Sequence, residues 1–257
     1  MLDIIGSLSL SAILVIDVIV LVGLARVPAR ARVISYALAA AWSVAVVVIG
    51  AMGGFAPGAM GRAIPGPVLP FALLVSGGLA GWFLWPALRE ALASVPMAAL
   101  IGINAFRIGG AFFVLLWAQG RLAAPFAPSA GWGDIITGVA AIPLALMAVR
   151  GSNVPRAVYG IWNAFGALDL IVAITLGVLS VPGTPFHVFV QEPGTLAMSM
   201  LPWVGVPTIL VPLYLLTHVV IAARLRSAKR EKGPDSIFEK RGQAQFSRPS
   251  GPMAFRK

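Results

Sequence analysis

Arg107 stands in the stretch INAFRIGGAFF, Ile103 to Phe113, where no other residue carries charge. Two carboxylates share that setting, Asp17 in AILVIDVIVLV and Asp169 in GIWNAFGALDLIVA. A guanidinium among apolar helices needs an anionic partner, because a bare charge there is costly. Two kinds of chemistry follow. The group is either a static ion pair that locks helices together, or a fixed positive charge that binds an anion or forms a charged step in a pathway. An arginine bound to both aspartates would leave one net negative charge and room for a proton, the physical requirement for proton coupling.

Spacing says which elements must position these groups. Arg107 falls about ten residues into an apolar run at 97–118, roughly 15 Å along a helix and near mid-membrane. Asn104, one turn back, and Gly110 and Ala111, one turn on, share its face, which is polar and small and is expected to point inward. Asp169 lies in the run 156–179 at a depth offset of roughly 4.5 Å, within an arginine's reach. Asp17, on the run 4–25, is the competing partner. Asn163 and Gly166 fall in the same arc as Asp169 at helical spacing. The last run, 200–223, carries Pro202, Pro207 and Pro212, each of which disturbs the helix one turn earlier. Broken helices of this kind often build sites near mid-membrane. Tyr214 and His218 follow at i, i+4 on one face of that run.

A second group belongs to the outer side. Asp134, in SAGWGDIITG, is expected to open a helix at 133–149 and cap its free N–H groups. The alternative is an outer vestibule that Asp134 shares with Arg121. His187 and Glu192 lie in the loop 181–195 and are close enough in sequence for a shared site.

The elements themselves follow from composition. The 257 residues are 59% hydrophobic and 11% charged, against roughly 25% charged in soluble domains, and the mean hydropathy is +0.92. Seven stretches approach the roughly 20 apolar residues that span a bilayer: 4–25, 33–52, 67–86, 97–118, 133–149, 156–179 and 200–223. The fold class is therefore an all-α bundle of about seven transmembrane helices in one domain, 1–224. The tail, 225–257, is basic, Gly- and Pro-containing and expected to be disordered. Arg26, Arg30, Arg32, Arg89, Arg150 and Arg156 fall in alternate loops, and only Arg62 and Arg121 in the others. By the positive-inside rule the N-terminus is outside and the C-terminus inside, in a cytoplasmic membrane. The first apolar run lacks a basic segment ahead of it, which favours a retained helix over a cleaved signal. Gly77 and Gly81 in SGGLAG form a GxxxG motif, a signal of close helix approach.

The net charge of +10 resides largely in the tail, with all four lysines, Lys229, Lys232, Lys240 and Lys257. Such a segment suits anionic lipid headgroups rather than nucleic acid. The absence of lysine from the helices excludes covalent retinal. The absence of cysteine excludes disulfides, thiolate nucleophiles and iron–sulfur clusters. His187 and His218 fall on opposite sides of the membrane, so they cannot form a bis-histidine haem site between helices, and a single axial His218 is the remaining haem option. No phosphate loop, HExxH or GxSxG motif occurs, and an enzyme is the least favoured class. The leading expectation is binding or movement of a small solute or proton through the Arg/Asp cluster. The alternatives are a non-catalytic subunit or assembly factor that co-purifies with a membrane-protein partner, and a sensor that uses the 181–195 loop.

Overall fold

Proline punctuates this chain. In the computed structural model, which describes residues 1–59, 61 and 64–230, the residue ahead of five helices is Pro28, Pro67, Pro96, Pro125 or Pro155, and a sixth helix begins on Pro86. A proline has no N–H to leave unsatisfied at a helix start, and its fixed φ suits that position. Between these stops the Ala-, Leu-, Val- and Ile-rich runs form helices, the arrangement that satisfies every backbone group without water. The elements are α1 (Leu2–Leu24), α2 (Ala29–Ala51), α3 (Val68–Leu84), α4 (Pro86–Ser94), α5 (Met97–Ala118), α6 (Phe126–Val149), α7 (Arg156–Leu179) and α8 (Val211–Arg230). The last is entered through a π-helical turn, Val206–Leu210. No strand occurs among the described residues.

Six of these helices are long and apolar enough to cross a membrane, and the count rises to seven if α3 and α4 are taken as one bent span. The continuous helix expected at 67–86 is instead broken. Trp85 is extended (φ −121°, ψ 96°) because the ring of Pro86 crowds the α conformation of the residue before it. The chain turns by 103° there, into the short α4. The GxxxG reading is corrected with it. Gly77 has nothing within 4 Å of where a Cβ would stand, and Gly81 faces Leu88 of the folded-back α4. The close approach to α8 is made by Gly78, against Leu216.

The last helix also starts later than expected. Residues 201–204 form turns, which leaves Pro202 outside the helix and Pro207 and Pro212 within the π turn and α8. Pro212 cannot donate to the Thr208 carbonyl, and the indole N–H of Trp42 does so instead at 3.1 Å. Helix α2 thereby supplies the bond that proline removes.

Side chains tie the two ends of the bundle. At one end the Trp203 indole donates to Asp3 Oδ1 (2.7 Å), and Arg121 pairs with the same oxygen (2.9 Å). At the other, Ser94 Oγ accepts from the Arg26 N–H (2.8 Å) and Arg224 donates to the Val95 carbonyl (2.5 Å). Helix α6 is central and packs on both α5 and α7. Helices α1 and α2 are peripheral, with Ile4, Leu8, Ile19, Leu38 and Val44 facing outward, an apolar surface suited to hydrocarbon. The expectations for the tail from residue 231, and the position of Arg62, lie outside the described residues.

Candidate functional site

Within α5 the backbone changes type. Ile103–Gly110 is a 3-10 helix, longer than the three or four residues such segments usually run. Its period of three residues puts Asn104, Arg107 and Gly110 in a single row, and all three are buried. Arg107 is 2% exposed and lies at the centre of a bonded network. Its Nε donates to Asp134 Oδ1 at 2.7 Å, and its Nη2 to Asp169 Oδ2 at 2.5 Å. Nη1 lies 3.0 Å from the Gly166 carbonyl and 3.1 Å from His218 Nε2.

A guanidinium has only donors, so His218 Nε2 is an acceptor in that contact. The ring is then neutral, and its proton sits on Nδ1 and is donated to Asn163 Oδ1 at 2.9 Å. The Asn163 amide returns a bond to the His218 carbonyl at 3.2 Å. Trp162 tilts its ring against that of His218, with centroids 5.5 Å apart, and its indole N–H donates to the Thr137 carbonyl. One cation, two carboxylates and one neutral imidazole therefore meet from α5, α6, α7 and α8. With both carboxylates ionised the group carries one net negative charge.

Glycines make the convergence possible. A Cβ on Gly133 would overlap the Asp169 carboxylate, and one on Gly166 would fall 2.7 Å from His218 Cε1. On Gly138 it would fall 2.6 Å from the backbone nitrogen of Ile108, so α6 rests directly on the 3-10 backbone. A side chain at any of these positions would hold the helices apart and lengthen the bonds to Arg107.

The structure brings together Arg107, Asp169, Asn163 and His218. It also adds Asp134, which corrects the expectation of a capping residue. Helix α6 starts about two turns earlier, at Phe126, so Asp134 lies well inside it. Gly131 and Gly133, just ahead of Asp134 in SAGWGDIITG, are contact glycines within the helix, against Val114 and Asp169. Arg121 is correspondingly not shared with Asp134, because it pairs with Asp3 at the end of the bundle.

Asp17 is not joined to Arg107 either. It is fully buried, and its Oδ2 accepts from Tyr214 at 2.9 Å while Oδ1 has no partner. Asp134 has taken the place on Arg107 for which Asp17 competed. Asn104 bonds one turn back to the Leu100 carbonyl (2.9 Å), again with Oδ1 unpartnered. In the 181–195 loop, His187 is partly buried with Nε2 unpartnered and Glu192 is exposed. No group of three metal-ligating side chains forms among the described residues. Replacing Tyr214 by Phe removes the only donor to Asp17 among the described residues and is expected to cost about 1–3 kcal/mol, measured as thermal unfolding in detergent. An unchanged midpoint would mean that the bond contributes nothing.

Two cavities adjoin the cluster. The larger, ≈ 90 Å³, reaches from Pro65, Pro67 and Thr195 down to Asp134. The smaller, ≈ 40 Å³, is lined by Arg107, Asp134 and Tyr214. Both share Phe113, Asp134, Leu170, Val206 and Val211, so the carboxylate stands at their junction.

A family model described as "Domain of unknown function (DUF8737)" matches residues 64–226, a range that contains the whole Arg107 network and leaves out α1 and α2. No curated protein and no solved structure matches the chain.

Proposed function

The chain belongs to the DUF8737 family, a premise that supplies no chemistry, and from the geometry of its Arg107 network we propose a multi-pass membrane protein that binds or moves a small solute or proton. The observation that carries this is a buried guanidinium bonded to two carboxylates and a neutral imidazole at the junction of two cavities. Arg107 is the fixed charge. Asp134 and Asp169 are the exchangeable partners, and His218, oriented by Asn163, is the neutral member. Tyr214 lines the smaller cavity and bonds Asp17, which extends the polar groups toward α1. The glycine-bearing faces and the π turn that opens α8 form the walls, and π segments are frequent at functional sites.

Orientation follows from charge. The alternation of Arg26, Arg89, Arg150 and Arg156 against Arg121 supports an outer N-terminus and inner C-terminus in a cytoplasmic membrane. The larger cavity then opens outward.

The test is proton flux in proteoliposomes after a pH jump, with wild type compared to Asp169→Asn. That substitution keeps the shape of the side chain and removes one of the two carboxylates that can exchange a proton. The expected result is a flux in the wild type that falls at least about tenfold in the variant, the effect of one well-placed proton-transfer group. Absence of flux in both overturns proton movement.

One observation favours a second reading, a non-catalytic membrane subunit in which the network is a packing lock. Arg107 is sealed, with acceptors on Nε, Nη1 and Nη2. That reading predicts stable co-purification with a larger partner and no flux from the isolated protein.

A further inference from the structure

The cation and the anions of the network are not equally hidden. The Arg107 side chain is 1% exposed, whereas that of Asp134 is 14% exposed. Asp134 lies deep in the bundle, and it lines both cavities, so what it exposes faces them. Its Oδ1 is taken by Arg107 Nε, and no hydrogen bond to Oδ2 is formed by the described residues. The larger cavity otherwise presents apolar walls, with Phe71, Phe113, Phe126, Leu170 and Val206 among them, and Thr195 and Ser199 toward its mouth. Arg107 does not line that cavity.

These walls select against a hydrated inorganic cation, because nothing along them replaces its water. They equally disfavour an anion, since the polar group at the end of the cavity is a carboxylate, and the guanidinium behind it does not line the cavity. What fits is an apolar body that ends in a single positive, hydrogen-donating head. We propose that the larger cavity is a binding site for a lipophilic monocation of the protonated-amine class, with Asp134 as its anchor and the aromatic and aliphatic walls as its seat. This rests on the reading of the network as a binding group and names the class of its ligand. Phe113 and Phe126, whose rings lie 5.8 Å apart, also offer π faces of the kind that attract ammonium groups.

The test uses two probes of matched shape, benzylammonium and benzyl alcohol, titrated calorimetrically into the full-length protein in non-ionic detergent. Benzylammonium is expected to bind at least about tenfold more tightly than the alcohol, the lower end of what a charge-assisted hydrogen bond contributes. Asp134→Asn is expected to erase that preference. Equal binding of the two probes by the wild type, or an undiminished preference in Asp134→Asn, overturns the proposal. Should the Asn variant not fold, Ala173→Leu decides. It fills the cavity wall without touching the network, and ammonium binding that survives it overturns the proposal. Flux without ammonium preference sinks this inference alone. Ammonium preference without flux keeps the site and removes movement.

Discussion

Arg107→Gln is expected to destabilise the protein by about 3–5 kcal/mol, the cost of removing one partner from a buried ionic network. Glutamine offers one amide where arginine bonded two carboxylates, a carbonyl and an imidazole nitrogen. The carboxylates of Asp134 and Asp169, 14% and 9% exposed, would then face each other without a cation. The loss appears as a lowered unfolding midpoint in detergent. The triple variant Arg107→Gln, Asp134→Asn, Asp169→Asn is expected to recover much of it, because the uncompensated charges leave together. Arg107→Lys should fall between, since an ammonium is a point charge and cannot reproduce the planar fork that reaches α6, α7 and α8 together. A midpoint for Arg107→Gln within about 1 kcal/mol of wild type, the size of an exposed ion pair, would show that the network is not the centre of the fold.

Gly133→Ala carries the second large effect, and its sign is the informative part. Alanine is the better helix former by about 1 kcal/mol, so propensity alone says that the variant gains stability. Packing says the reverse. The added Cβ falls on the Asp169 carboxylate, so either that side chain leaves Arg107 or α6 and α7 separate. Overpacking costs about 1–3 kcal/mol, and the lost ion pair adds to it, for a net destabilisation of roughly 3 kcal/mol or more. Gly160→Ala is the matched control on α7. Nothing lies within 4 Å of its would-be Cβ, and it should be neutral or stabilising by up to about 1 kcal/mol. If both variants shift stability in the same direction, the glycine is not placed by contact.

The apolar helices were legible in the sequence because hydropathy over roughly 20 residues is a one-dimensional signal. Proline marks in the sequence where most of them begin. The meeting of Arg107 with Asp169 was also legible, because two helices at similar depth with small-residue faces leave few places for a charge. Asp134 was not, for a physical reason. Glycines at a helix start and glycines at a helix contact read alike in one dimension, and only the neighbours of Gly131 and Gly133 tell them apart. The pairing of Asp17 with Tyr214 was hidden in the same way, since it depends on Asp134 having already occupied the arginine. The break at Trp85 was within reach, through the conformational restriction that Pro86 imposes on the residue before it. Hydropathy ran across that break and masked it.

The 3-10 segment of α5 has a mechanical consequence. At roughly 2.0 Å per residue against 1.5 Å for an α-helix, Ile103–Gly110 is drawn out by roughly 4 Å. It is also wound tighter, by about 20° at every residue. Conversion to α-helix would shorten the rod and unscrew it at the same time, turning Arg107 by roughly 80–100° relative to the start of the segment. That stroke would lift the guanidinium off both carboxylates in one movement. Gly138 of α6 lies against the Ile108 backbone within that segment, so α6 would have to shift as the screw turned.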